Sequence, residues 1–202
     1  MEAGSTTTES SRSWIPADPG PLGLAGFAMT TFVLSMYNSN LVNPAGEAVV
    51  LGLALAYGGL AQLLAGMWEF RAGNTFGAVA FTSYGAFWIS FWALVAFYAK
   101  GLPAAHAGKD IGLFLWAWAI FTAYMWVASF RTTIAVNLVF FLLTITFILL
   151  GIGNAGGHAN VLHWGGYVGL ATAAAAWYAS FAAVINSTFK RVVLPVKPLT
   201  RA

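Results

Sequence analysis

The sequence predicts an all-α polytopic membrane protein, with six transmembrane helices packed into a pore-containing bundle. Three observations predict it. Hydrophobic residues make up 59% of the 202 and charged residues 7%, against about 25% charged in soluble domains. A soluble chain this apolar could not cover its surface. Six stretches are apolar and about 20 residues long, the length that a hydrocarbon core about 30 Å thick demands. The separators between them are short and rich in turn residues, which makes sequential helices antiparallel neighbours.

Residues 1–17 are polar, rich in Ser and Thr, and carry Glu2, Glu9 and Arg12. They lack the basic start and apolar core of a signal peptide. They read as a disordered cytoplasmic tail with an anchor at Trp14-Ile15, where a short interfacial helix has weak support. The transmembrane domain covers residues 18–190, and a second cytoplasmic tail covers 191–202. Asp18 is placed to cap the first helix, since its carboxylate can accept from the free N–H groups of the first turn. Pro19 and Pro21 suit that turn because no N–H is needed there. The first helix is expected over Leu22–Val42. On helical spacing Gly23, Phe27, Thr30, Thr31, Leu34 and Asn38 share one face. Small, hydroxyl and amide groups beside one large ring are not what a lipid-facing surface requires.

The second helix, Ala48–Phe70, aligns Gly52, Ala56, Gly59, Gln62 and Gly66. Its glycines suit close helix packing. An amide in mid-membrane has to pair with another helix or face water, so Gln62 reads equally as structural glue or as pore or interface lining. The third helix, Phe76–Tyr98, holds Thr82, Ser83, Tyr84, Gly85 and Trp88. Tyr84 lies too deep for an interfacial aromatic belt, and its hydroxyl needs a partner; structural and functional readings both stand. The fourth helix, Ile111–Phe130, carries Trp116, Trp118, Tyr124 and Trp126 and reads as facing lipid or another subunit. The fifth, Ile134–Ile152, aligns Phe140, Leu143, Phe147 and Leu150, with Asn154 three turns beyond Leu143. Alone, such a stripe is ordinary packing that ends in an amide. The sixth, Val161–Asn186, sets Gly165, Gly169, Ala173 and Ala176 in a small-residue series.

With both termini inside, Arg12, Arg71, Arg131, Lys190, Arg191, Lys197 and Arg201 lie on the inner side and only Lys100 and Lys109 outside. This asymmetry favours cytoplasmic termini, and an even helix number agrees. The location implied is the plasma membrane.

The missing chemistry excludes several classes. Asp, Glu, Lys and Arg are expected only at helix ends, Glu47, Glu69 and Arg71 included, whereas ion-coupled carriers and proton pumps usually need intramembrane ionisable groups. No nucleotide loop, haem motif or nucleophile–base pair is present, so neither an enzyme nor a cofactor is expected. A net charge of +3 gives no reason to expect a nucleic-acid partner. Without cysteine no thiolate metal site exists. His106, His158 and His163 fall in or near outer loops without ligand spacing, and read as surface or pH-sensing groups. What remains is a conduit lined by hydroxyls, amides, aromatics and backbone. It suits a small uncharged or singly charged solute. Burying a bare carboxylate costs far more than burying its neutral acid. An anion would therefore keep much of its water and take N–H and O–H donors, or a proton would travel with it.

The run Pro19-Gly-Pro-Leu-Gly-Leu-Ala-Gly-Phe27 resembles the Asn-Pro-Ala-Pro-Leu-Gly-Leu signature of the acetate uptake transporters, also called succinate–acetate permeases. Gly58-Gly-Leu-Ala-Gln62, Gly73-Asn-Thr-Phe-Gly77 and Phe81-Thr-Ser-Tyr-Gly-Ala-Phe-Trp88 resemble further parts of that pattern. So do Ile152-Gly-Asn154 and Val193-Leu-Pro195. The likeness runs from about Pro19 to Pro195. It implies a pore inside each six-helix protomer, a ring-shaped homo-hexamer similar in plan to acid-activated urea channels, and transport of acetate, with succinate in some members. It further implies a narrow hydrophobic gate at Phe27, Tyr84 and Leu143, where an apolar ring can gate by dewetting. Thr31, Gln62, Thr82 and Asn154 are expected as polar pore lining on the face argument alone. Two positions depart from the signature: Asp18 stands where the family usually has Asn, and Gly20 where it has Ala. An anionic group at the inner mouth would repel a carboxylate unless it is engaged as a helix cap. The rival readings are a channel for urea or ammonia, and a non-transporting membrane sensor.

Overall fold

The apolar stretches all become helices in the structure, a computed structural model that describes Trp14 and residues 16–199. They are α1 Gly20–Asn38, α2 Pro44–Ala72, α3 Thr75–Gly101, α4 Ala107–Ser129, α5 Ile134–Gly156 and α6 Ala159–Phe189, each long and apolar enough to cross a bilayer. Their ends follow local chemistry. The Gly20 N–H donates to Asp18 Oδ1 at 2.9 Å, so Asp18 does cap α1. Asn74 Oδ1 accepts from the Gly77 N–H at 3.1 Å to start α3, and Thr133 Oγ1 accepts from Val136 to start α5. α2 and α5 stop at Gly73 and Gly157, whose φ values of 77° and 65° lie in the left-handed region that glycine enters without steric cost.

α2 is not a regular helix. It opens as a 3-10 turn over Pro44–Val49 and loosens to a π turn over Ala56–Ala61. At that turn α1 and α2 cross closely: a Cβ on Gly26 would stand 2.6 Å from the Tyr57 carbonyl, and one on Gly58 2.5 Å from Thr30 Oγ1. Among the described residues most of the remaining helix packing joins α1 to α6, α6 to α5, α5 to α4 and α3 to α2.

Small residues make the α6 contacts. Gly165 meets Leu150, Gly166 meets the Ser39 backbone, Gly169 meets Ser35, and Ala173 and Ala176 are fully buried. In lipid no hydrophobic drive separates one apolar face from another, so dispersion at close range holds helices together. Several buried hydroxyls bond within their own helices: Thr30 donates to the Gly26 carbonyl, Thr144 to Phe140, and Thr172 to Val168.

Both described ends fold back on the bundle. Trp14 sets its ring 5.8 Å from that of Trp68, and the Arg71 guanidinium donates to the Trp14 carbonyl. No helix forms at Trp14 or residues 16–19. Ile15 and the rest of the predicted N-terminal tail lie outside the described residues. Past Lys190 the chain doubles back. Asn186 Oδ1 accepts from the Val193 and Leu194 N–H groups, and the Ile134 N–H donates to the Lys197 carbonyl. The expected C-terminal tail is thus docked on the α4–α5 loop as far as Leu199.

Candidate functional site

Two cavities open into the bundle from opposite ends. The larger, about 510 Å³, lies at the end away from the termini and is walled by all six helices. Phe27 and Leu143 form its floor, while Thr31, Asn38, Asn154 and His163 bring polar groups to its wall. The smaller, about 310 Å³, opens on the side of the two termini. Leu24, Ala80 and Phe140 lie at its inner end, and Asp18, Glu69, Asn74, Thr132 and Thr133 bring polar groups nearer its mouth.

The residues that end the two cavities are close neighbours in sequence. On α1 they are Leu24 and Phe27; on α5 they are Phe140 and Leu143. One helical turn separates each pair, so the septum is about 5 Å thick. On α3 Tyr84 falls between Ala80 of one cavity and Phe87 of the other. Its ring centre lies 5.7 Å from that of Phe27 and 6.0 Å from that of Phe140. Phe27, Tyr84 and Leu143 are each at most 4% exposed and belong to one apolar cluster.

The Tyr84 hydroxyl lies 3.0 Å from Thr122 Oγ1. Thr122 donates its own proton to the Trp118 carbonyl at 2.7 Å, so the tyrosine is the donor in the first bond. Trp118 and Phe121 also pack on the Tyr84 ring. The sequence suggests that α4 faces lipid or another subunit, and Leu113, Ile120 and Val127 do form an exposed face. Sequence reasoning missed Thr122 and Trp118 because one strongly apolar helix gives no sign of which side is inner.

The expected polar lining divides. Thr31 and Asn154 line the larger cavity; Asn154 gives one amide proton to the Leu150 carbonyl. Gln62 and Thr82 line neither cavity. Gln62 is 1% exposed and packs toward Gly26 of α1, while Thr82 presses on Gly66 of α2. Both stand in helix–helix contacts. Glu69 stands near a helix end, as expected. It is nonetheless 2% exposed, a burial that its place near the helix end did not announce. Among the described residues no cluster of three or more His, Cys, Asp or Glu side chains could hold a metal ion.

Six membrane-length helices around two opposed cavities, divided by a thin apolar septum, define a membrane transport protein. The chain belongs to the GPR1/FUN34/yaaH family, whose model matches residues 4–201. It is 41% identical over 180 residues to the succinate-acetate/proton symporter SatP of Escherichia coli, covering 89% of this chain and 95% of that one. It is 43% identical over 195 residues to acetate permease A of Emericella nidulans, covering 89% of this chain and 65% of that one. Among solved structures, that of the bacterial acetate channel SatP superposes with a TM-score of 0.84 at 40% identity, covering 90% of this chain and 99% of that one.

Proposed function

We propose that each protomer carries acetate, or a monocarboxylate of similar size, across the plasma membrane by way of the septum at Phe27, Tyr84 and Leu143. The observation that carries this reading is the septum itself, one helical turn of apolar side chains between two cavities. Moving a bare carboxylate-sized ion from water into a medium of low dielectric has an idealised cost of order 20 kcal/mol. A short apolar barrier therefore favours the neutral acid, or an anion that crosses in one step between polar walls. Thr31 and Asn154 supply neutral groups on one side; Asn74, Thr132 and Thr133 supply them on the other. The names of the relatives support acetate. They also support a transporter rather than an enzyme.

The basic residues favour cytoplasmic termini, with the smaller cavity facing the cytoplasm. Leu113, Ile120 and Val127, each at least 66% exposed, give α4 an outer apolar stripe suited to lipid or to a neighbouring protomer in a ring of six.

The test is uptake of radiolabelled acetate by proteoliposomes at two pH values. Flux above that of empty vesicles supports the reading; none at either pH overturns it. Urea or ammonia flux that acetate fails to inhibit would favour the rival channel.

A further inference from the structure

Among the described residues Glu69 is the one charged side chain that is buried. It lines the smaller cavity, and nothing in the passage of a neutral solute uses it. An ionisable group held inside a membrane bundle is costly and generally functional. Its surroundings are specific. Gly77 and Gly20 leave it room: a Cβ on Gly77 would stand 2.6 Å from the Glu69 carboxyl carbon and 2.6 Å from Asn74 Nδ2. A Cβ on Gly20 would stand 3.0 Å from Asp18 Oδ1 and 3.5 Å from Glu69 Oε1. The two carboxylates thus flank one glycine at the mouth of the cavity. Around Glu69, α1 and its cap bring Asp18; α3 and its cap bring Asn74; the α4–α5 loop brings Thr132 and Thr133. Among the described residues α5, α6 and the returning tail bring no titratable group to the cavity, and no basic side chain lines it. Arg71, two residues along α2, is turned to Trp14 instead.

We propose that Glu69 exchanges a proton with the substrate carboxyl on the termini side of the septum. The proposal rests on the acetate reading above. The acid crosses the septum neutral. Its O–H bond then breaks as an O–H bond forms on a Glu69 carboxylate oxygen. The anion leaves through the mouth, and Glu69 returns to the carboxylate by giving that proton to water there. Substrate acid and Glu side chain have similar intrinsic acidities, so the proton moves in either direction without a large barrier. Asp18, a like charge at the same mouth, favours the protonated form of its neighbour and discourages re-entry of the anion.

The test uses the full chain in proteoliposomes with an imposed pH gradient, after subtraction of flux in empty vesicles. Glu69→Gln is expected to cut gradient-driven acetate uptake about tenfold or more and to flatten its pH profile, with Glu69→Asp partly restoring both. Asp18→Asn keeps an acceptor for the Gly20 N–H, and is expected to move the pH midpoint of uptake downward. A folded Glu69→Gln protein with the wild-type profile overturns the proposal. So does an unmoved midpoint in Asp18→Asn, which decides the matter if Glu69→Gln does not fold. If the wild type carries no acetate, the functional reading has failed. Infrared difference spectra on acidification then still test Glu69, whose carboxylic acid band should be absent from Glu69→Gln; a band unchanged in that variant overturns the proton site independently.

Discussion

Tyr84 of α3 donates its hydroxyl proton to Thr122 of α4 across 3.0 Å, and this bond ties the ring at the septum to a helix on its far side. Thr122 passes its own proton to the Trp118 carbonyl, so the pair has a direction. The direction predicts an asymmetry. Tyr84→Phe leaves Thr122 satisfied and should cost about 1 kcal/mol. Thr122→Val strands a buried hydroxyl and should cost more, about 1–3 kcal/mol. Melting of the two variants in one detergent checks the order; equal losses would mean that the bond does not hold the ring.

Leu143 forms part of the floor of the larger cavity and is 4% exposed. Leu143→Ala shortens a side chain of the septum, and should let lactate through. An increase of about tenfold in lactate flux corresponds to about 1.4 kcal/mol off the barrier. Competition assays with acetate and lactate in proteoliposomes read this directly. Lactate exclusion equal to that of the wild type would remove Leu143 from the path.

Gly166 of α6 meets the backbone of Ser39 just past α1, with no space for a Cβ. Gly166→Ala must push the two elements apart, and should destabilise the protein by about 1–3 kcal/mol. Gly52, with nothing within 4 Å of its Cβ position, is the control. Gly52→Ala should be neutral or slightly stabilising, since Ala is the better helix former. Thermal midpoints of both variants check the contrast.

Helix number, order and most boundaries were legible in the sequence because apolar length is the one signal that a bilayer enforces. The face of α1 was legible in part: Phe27, Thr31, Leu34 and Asn38 line the larger cavity, whereas Gly23 meets Phe81 and Thr30 meets Gly58. α2 was less so. A regular 3.6-residue period put Gly52 on one face with Gln62 and Gly66. The π turn over Ala56–Ala61 inserts about one residue, which rotates the rest of the helix by about 100°. Gly52 therefore faces open space while Gln62 and Gly66 are buried. Thr82 looked like pore lining because hydroxyls in membrane helices serve packing and pores alike. Glu69 was hidden by its position near a helix end, where most carboxylates reach water; its burial comes from Gly20 and Gly77, on two other segments.

On the proposed reading, solute passes the septum beside Leu143. The chain contains no cysteine, so Leu143→Cys has a single thiol. Labelling it with a small methanethiosulfonate reagent should abolish acetate flux in proteoliposomes, and acetate should slow the labelling. Complete modification with undiminished flux would contradict the account.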